Sequence, residues 1–307
     1  MKNLKSSNYF MVFLMIMWVI LIFASSFLYI ISDNFFAPIR IILISQLAVF
    51  GIPILFIIIT NFKNLNNIFL FKKISLKNII MIIGMTLSLI PFAMLLAIIS
   101  SIFFGGNDVG DVVSEITQES GILISLFVVA VIPSFFEEIA LRGVIFSGYK
   151  GKKIFLAAIV NGLFFAIIHM NMQQFLYAFI LGVFFCYFVY YTKSIWAGII
   201  AHLTVNSSQN LLAYFLSFYS IEVYEMNEYI SEDNFEFYSA FIYISIFALI
   251  FISIFILIYR SFKKYNANVV DDEEWFSGKS NERILGVSFF IPISIFLIFI
   301  LLFHFGG

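Results

Sequence analysis

Two adjacent carboxylates and one guanidinium lie within an otherwise apolar run, FFEEIALRGVIF, at residues 135–146. Glu138 and Arg142 are four residues apart and share a helix face, whereas Glu137 lies about 140° around the helix from Arg142. The spacing therefore predicts an ion pair between Glu138 and Arg142. Glu137 has no such partner on its own helix, so its carboxyl should either favour its protonated form or face a polar cavity formed with other helices. A second buried ion pair, made with another helix, is the alternative.

Two later apolar segments carry polar side chains at four-residue spacing. NGLFFAIIHM places Asn161, Phe165 and His169 on one helix face, and AHLTVNSSQN places His202 and Asn206 in a polar stripe. A lone histidine in such a segment is usually a packed residue, but two histidines together with an unpaired glutamate favour a chemical role. A neutral imidazole and a carboxylate can deprotonate water together, and histidine and asparagine can donate hydrogen bonds to an oxyanion. These side chains are suited to hydrolysis.

The elements that position these side chains are predicted to be membrane helices. Of the 307 residues, 62% are hydrophobic and only 11% are charged, and the mean hydropathy is +1.05, which is typical of a polytopic membrane protein. Because one span needs about 20 mainly apolar residues, the sequence predicts an all-α, polytopic transmembrane helix bundle with about nine spans. The predicted spans lie near residues 8–32, 37–60, 78–104, 121–146, 154–170, 174–192, 194–217, 237–259 and 284–304.

Charge predicts the orientation of these spans. Lysines and arginines concentrate on one side of the predicted bundle, at residues 2–5, 63–77, 150–153, 193 and 260–264. The connections on the other side, near 105–120 and 221–236, are acidic, and Arg40 is a mild exception. By the positive-inside rule, the N-terminus is cytoplasmic and, with nine spans, the C-terminus is outside. We expect the first span to be retained rather than cleaved as a signal peptide, because its apolar run is longer than that of a typical signal sequence.

Depth along the helices does not place the candidate residues at one level. Counting about 1.5 Å per residue from the cytoplasmic ends puts Glu137 about 15 Å deep, His202 about 12 Å deep and His169 about 22 Å deep. His169 comes level with the others if residues 152–156 lie along the membrane interface, or if Pro133 breaks the helix that carries Glu137. The sequence leaves both explanations open.

Charge and cysteine content weigh against some classes of function. The formal net charge is −1 and no basic patch stands out, which argues against a nucleic-acid partner. The single cysteine, Cys186, cannot form an internal disulfide and is expected to be a small core or lipid-facing residue. A transporter or channel could use intramembrane glutamate and histidine as a proton relay, but the sequence has no internal repeat of the kind found in many transporters.

Taken in order, these motifs resemble those of the CPBP intramembrane proteases, the family of CAAX prenyl endopeptidases and of Abi-type bacteriocin-processing and self-immunity proteins. The family pattern is E-E-x-x-x-R, then F-x-x-x-H, then H-x-x-x-N or D on successive membrane helices. It is matched here by Glu137, Glu138, Arg142, Phe165, His169, His202 and Asn206. The resemblance covers about residues 121–216, so it divides the chain into N-terminal spans at 1–120, a protease-like core at 121–216 and C-terminal spans at 217–307.

The resemblance implies an intramembrane endopeptidase. Glu137 and His169 would activate water, and His202 and Asn206 would stabilise the tetrahedral oxyanion. The residues expected to orient these groups are Glu138, Arg142 and Phe165. The substrate would be a membrane-bound peptide or protein, such as a prenylated C-terminus, a leader peptide or a pheromone precursor. The protein itself would be a multi-pass protein of the cell membrane.

Two alternatives remain open at this point. The family has often been described as metalloproteases, in which case a zinc ion would be held by Glu137, Glu138, His169 and His202. The chain has no H-E-x-x-H motif and few other buried acids to support such ligands, so we expect hydrolysis without a metal or other cofactor, with zinc as the alternative. Separately, a non-catalytic immunity or regulatory protein could use the same core to bind a peptide or a partner membrane protein.

Overall fold

The structure, a computed structural model, describes residues 3–31, 38–105, 108–218, 234–270, 276 and 278–303. These residues are mostly helical, and no strand occurs among them, so the predicted all-α fold is confirmed. The longer helices are α1 Leu4–Ile31, α2 Pro38–Thr60, α3 Leu76–Phe104, α4 Asp108–Ser120, α5 Ile122–Gly148, α6 Ile154–Ile168, α7 Met172–Thr192, α8 Ile195–Phe218, α9 Asn234–Tyr265 and α10 Val287–Phe303. Lys2 and most of the acidic segment 221–236 lie outside the described residues.

Every predicted span coincides with one of these helices. The helices α1, α2, α3, α5, α7 and α9 are long and apolar enough to cross a membrane, and α6 and α10 are shorter apolar helices. The count of nine spans and the cytoplasmic N-terminus stay predictions. Helix α4 was missed, because its acidic residues made the segment before residue 121 look like a solvated connection. It is an amphipathic helix that packs across α8 and buries Ile116 and Thr117.

The three segments into which the sequence was divided share one hydrophobic core. That core includes Met11 from α1, Met85 from α3, Phe185 from α7 and Phe262 from α9. Polar contacts inside the bundle also connect distant parts of the chain. Asn78 and Asn266, for example, exchange two side-chain hydrogen bonds, at 3.0 and 2.8 Å, between α3 and the residue that follows α9. Such contacts give neighbouring helices a defined register where apolar packing alone does not.

Helices α2 and α5 contain wider, π-helical turns. They occur at Gln46–Gly51 in α2, and at Leu126–Val131 and Ile139–Ile145 in α5. Pro133 follows the first π-helical turn of α5, and the helix continues through it into Ile132–Glu138. A proline has no N–H for the carbonyl four residues earlier, and a π-helical turn changes the bonding pattern at that point. Helix α5 is therefore not broken at Pro133, which removes one of the two explanations for the depth of His169.

Two glycines allow α6 and α7 to cross closely. A Cβ atom added at Gly162 would lie 2.8 Å from the carbonyl oxygen of Phe179, and one added at Gly182 would lie 2.9 Å from the Cα atom of Gly162. The Gly182 position also lies against the Phe165 side chain, with only 3.1 Å between the added Cβ atom and the Cβ of Phe165. Small residues at a crossing let two helix backbones approach each other. This crossing therefore sets where α6 presents Phe165 and the His169 that follows it.

We predict that Gly162→Ala destabilises the protein, by about 1–3 kcal/mol, because the added methyl group meets backbone atoms that cannot move independently. Thermal unfolding of the purified protein in detergent measures the effect. Gly286→Ala is the matched control, since a Cβ atom added there meets nothing within 4 Å. Equal melting temperatures for the two variants would contradict the close crossing.

Candidate active site

A cavity of about 250 Å³ lies inside the bundle, and residues from α1, α2 and α4–α8, with His169 after α6, line it. Its polar lining consists of Ser45, Gln46, Glu137, His169, Gln174, Tyr177, His202, Asn206 and Gln209. The structure therefore brings together all four residues that were predicted to act on substrate. One lies on α5, one follows α6 and two lie on α8, which means that the cavity is formed only when these helices pack.

A buried ion pair lies beside this cavity. Arg142 Nη1 donates a hydrogen bond to Glu138 Oε1 at 2.6 Å, and both side chains are completely buried. Arg142 Nη2 donates to the carbonyl oxygen of Gly182 at 3.1 Å. The guanidinium carbon also lies 4.5 Å from the ring centre of Phe165 and 5.2 Å from that of Phe185. A buried guanidinium needs this combination of counter-ion, carbonyl and aromatic contacts to offset its lost hydration.

Glu138 has a second partner that the motif spacing did not reveal. His202 Nδ1 lies 3.1 Å from Glu138 Oε1, the oxygen that also accepts from Arg142. Because an ionised carboxylate only accepts, this contact places a hydrogen on Nδ1 and leaves Nε2 for other contacts. Nε2 lies 4.0 Å from Glu137 Oε2. Glu138 thus orients His202 as well as pairing with Arg142.

A glycine on α8 makes room for this contact. Gly198 lies one turn before His202, and a Cβ atom added at Gly198 would overlap Glu138 Oε2. In the sequence, Gly198 continues the four-residue spacing of His202 and Asn206, but that spacing alone assigns no purpose to a glycine. A small residue one turn from a polar one on the same face is a signal that another side chain approaches there. Here that side chain is a carboxylate from α5.

Glu137 points away from this ion pair and into the cavity. Its Oε1 accepts a hydrogen bond from Gln46 Nε2 on α2, at 3.0 Å. Its Oε2 has no hydrogen-bond partner among the residues that the structure describes. Glu137 therefore faces the polar cavity that was one of the expectations for it, and the 4.0 Å distance to His202 Nε2 leaves the alternative of a second buried ion pair open. Gln46 belongs to none of the motifs, although an intramembrane glutamine is expensive enough to have marked it as a candidate.

His169 is presented by the end of α6. The residue after it, Met170, adopts a left-handed conformation with φ of 52°, and Asn171 then caps α7 by accepting hydrogen bonds from the backbone N–H groups of Gln173 and Gln174. The His169 Nδ1 atom lies 2.6 Å from the carbonyl oxygen of Phe165. Since a carbonyl oxygen only accepts, Nδ1 carries the hydrogen and Nε2 keeps a lone pair that can take a proton. The sharp turn thus leaves His169 at the cavity with Nε2 as a hydrogen-bond acceptor.

Phe165 contacts three of the polar residues of the site. Its ring centre lies 4.9 Å from that of His169 and 5.4 Å from that of His202, and both pairs of rings meet edge to face. The Arg142 guanidinium lies over the same ring. Phe165 is therefore a spacer that keeps the two imidazoles apart and fixes the planes of both.

Asn206 is bound to α5 at a backbone carbonyl one turn before Pro133. Its Nδ2 donates to the carbonyl oxygen of Val129 at 3.2 Å. In a regular α-helix that carbonyl would accept from residue 133, which is a proline and has no N–H. An amide nitrogen carries two hydrogens, so one remains for the cavity that Asn206 lines. One turn later, Asn210 Nδ2 donates to Ser125 Oγ at 2.7 Å and fixes the same helix pair.

The residues considered as zinc ligands do not form a four-ligand site. Among the described residues, no group of three or more His, Cys, Asp or Glu side chains is arranged to hold a metal ion. Glu138 Oε1 is engaged by Arg142 and His202, and a guanidinium beside a ligand oxygen disfavours a cation. The alternative of a zinc enzyme stays a prediction to be tested with a chelator.

Comparison with known proteins gives a family match for part of the chain. Residues 119–208 match the family model described as Rce1-like, type II CAAX prenyl endopeptidase Rce1-like. The matched part runs from the end of α4 into α8 and contains every residue of the three motifs. No curated protein and no solved structure matches the chain.

We predict that Arg142→Met destabilises the protein by about 3–5 kcal/mol, because it leaves the buried Glu138 carboxylate without its counter-ion. Thermal unfolding in detergent is again the measurement. Arg40→Met, which makes the same change at an exposed position on α2, is the control. If the two variants unfold at the same temperature, the ion pair does not contribute the expected stability.

Proposed function

We infer that this chain, which belongs to the CPBP family through its Rce1-like segment at residues 119–208, is an intramembrane endopeptidase. It would hydrolyse peptide bonds in membrane-associated peptides or proteins. The observation that carries the proposal is the Oε2 atom of Glu137, which accepts no hydrogen bond from the described residues and belongs to a buried side chain that lines the same cavity as His169, His202 and Asn206. The protein is an integral membrane protein with several apolar helices, and we place it in the cell membrane.

Glu137 and His169 are proposed to activate the attacking water. Gln46 occupies Glu137 Oε1, so Oε2 is the oxygen available to accept a proton. The hydrogen bond from His169 Nδ1 to the Phe165 carbonyl leaves Nε2 as a second acceptor. Two acceptors at one cavity can orient a water and remove its proton as its oxygen attacks the peptide carbonyl. That proton then passes to the leaving amine, so the reaction consumes one water and yields a carboxyl and an amino terminus.

His202 and Asn206 are proposed to stabilise the oxyanion of the tetrahedral intermediate. Asn206 has an N–H left after its bond to Val129. Donation from His202 Nε2 requires a hydrogen on both ring nitrogens, because Nδ1 already donates to Glu138, whose carboxylate lies 3.1 Å from the ring. Donors fixed in advance stabilise developing charge more effectively than donors that must reorient. Here Glu138 fixes one donor and the Val129 carbonyl fixes the other.

We predict that Glu137→Gln lowers the cleavage rate by about 10²-fold or more, because the amide cannot take the proton of water. The assay incubates purified protein in lipid vesicles with membrane-anchored peptides, with and without a prenylated C-terminus, and identifies products by mass spectrometry. Glu115→Gln, at an exposed acid on α4, is the control. A zinc chelator should leave the wild-type rate unchanged.

Two results of this assay would contradict the proposal. Full cleavage by Glu137→Gln would show that this carboxylate is not the base, and a complete absence of cleavage by the wild type with all peptides would favour the non-catalytic binding role. Loss of activity with the chelator, restored by zinc, would replace the metal-independent mechanism with the zinc enzyme.

We predict that Asn206→Ala lowers kcat by about 10²-fold, the usual cost of losing one donor to an oxyanion. Asn210→Ala is a matched control, because Asn210 lies one turn along the same helix and bonds Ser125 rather than lining the cavity. Asn210→Ala should lower thermal stability while kcat stays near that of the wild type. An equal loss of kcat in both variants would mean that Asn206 acts only by holding α8 against α5.

A further inference from the structure

One wall of the proposed catalytic cavity is made by residues outside the Rce1-like segment. The residues of this wall are Trp18 on α1, Ile42, Ser45, Gln46 and Phe50 on α2, and Val113 on α4. Most of them are apolar and complete the cavity by their shape. Gln46 differs, because its side chain reaches one of the residues proposed to perform the chemistry.

Gln46 is buried, with 6% of its surface exposed, and its Nε2 lies 3.0 Å from Glu137 Oε1. The amide faces Glu137 with its NH₂ group, because its carbonyl oxygen would otherwise lie against an accepting carboxylate oxygen. The donor is therefore identified by chemistry. No other described side chain donates to Oε1, whereas Oε2 stays without a hydrogen bond.

The backbone of α2 holds Gln46 firmly in this position. Gln46 begins the π-helical turn Gln46–Gly51. At the end of that turn, a Cβ atom added at Gly51 would lie 3.4 Å from the ring of Phe136, the residue beside Glu137. Val49 and Phe50, between them, are buried. Helix α2 is thus packed against α5 at the level of Glu137, so the donor and the acceptor are both carried by fixed backbone.

We propose that Gln46 is a positioning residue for Glu137, which fixes one carboxylate oxygen so that the other faces the water. The proposal rests on the function inferred above. The last torsion of a glutamate rotates over a broad range, so an unrestrained carboxylate would present either oxygen at varying angles. An error of about 1 Å in the place of a catalytic group can reduce the rate about 10²-fold. A single hydrogen bond to Oε1 removes that freedom.

The test compares Gln46→Met with the wild type in the vesicle assay. Methionine keeps the length of the side chain and removes the donor. We expect kcat to fall about tenfold or more with KM changed less than about twofold, because Gln46 is assigned to the base rather than to the substrate. Gln118→Met, at an exposed position on α4, is the control. An unchanged kcat, or a raised KM with an unchanged kcat, would overturn the proposal.

A second variant covers the case in which Gln46→Met does not fold. Gln46→Asn keeps the amide but withdraws it by one methylene, so it should fold and lose kcat in the same direction. The two inferences fail in different ways. Cleavage that persists in Glu137→Gln overturns the proposed function and with it the role of Gln46. An inactive Glu137→Gln together with a fully active Gln46→Asn overturns the role of Gln46 alone.

The contact itself can be tested without catalysis. Gln46→Met should lower the melting temperature more in the wild-type background than in a Glu137→Leu background, where the acceptor is already absent. Equal shifts in both backgrounds would show that Gln46 and Glu137 do not interact, and that result would overturn the proposal whatever the activity of the variants.

Discussion

The buried guanidinium of Arg142 constrains the rest of the site, because a cation removed from water needs protein partners to offset its lost hydration. Glu138 supplies the counter-charge, α7 supplies the Gly182 carbonyl, and Phe165 and Phe185 supply aromatic faces. Each of these partners belongs to a helix that also contributes to the cavity or supports it. Glu138 then uses the same oxygen to orient His202. An ion pair that is not proposed to contact the substrate therefore determines where an imidazole of the site lies.

Adjacent glutamates can have separate roles because successive residues of a helix point about 100° apart. Glu138 faces the ion pair and α8, and Glu137 faces the cavity and α2. The π-helical turns fit this division. One precedes Pro133 and contains Val129, whose carbonyl accepts from Asn206, and another contains Leu141, whose carbonyl accepts from Asn161 at 2.9 Å. Irregular backbone is thus compensated by amides from α8 and α6, and the same amides hold those helices against α5.

The sequence predicted the features that depend on spacing within one helix. These include the helical fold and the Glu138–Arg142 pair, both of which need only composition and a period of 3.6 residues. The contacts of Glu138 with His202 and of Gln46 with Glu137 were missed, since both depend on how helices are rotated and aligned with each other. In apolar spans the faces toward lipid and toward protein have nearly the same composition, so periodicity carries little information about that alignment. Helix α4 was missed for a different reason, since a short acidic amphipathic helix and a solvated connection have similar composition.

The cavity also explains why the Rce1-like segment depends on helices that lie before it in the chain. Residues 119–208 contain every motif side chain, but they form only part of the cavity wall, and α1, α2 and α4 complete it through Trp18, Gln46 and Val113. If one side of the site were open to lipid, the Glu137 carboxyl and the two imidazoles would be polar groups without hydrogen-bond partners in hydrocarbon. Each would cost several kcal/mol. Helices α1, α2 and α4 remove that cost by covering this side of the site. Their packing against α5 therefore belongs to the same physical problem as the Arg142 ion pair, which is how to keep polar groups inside a membrane protein.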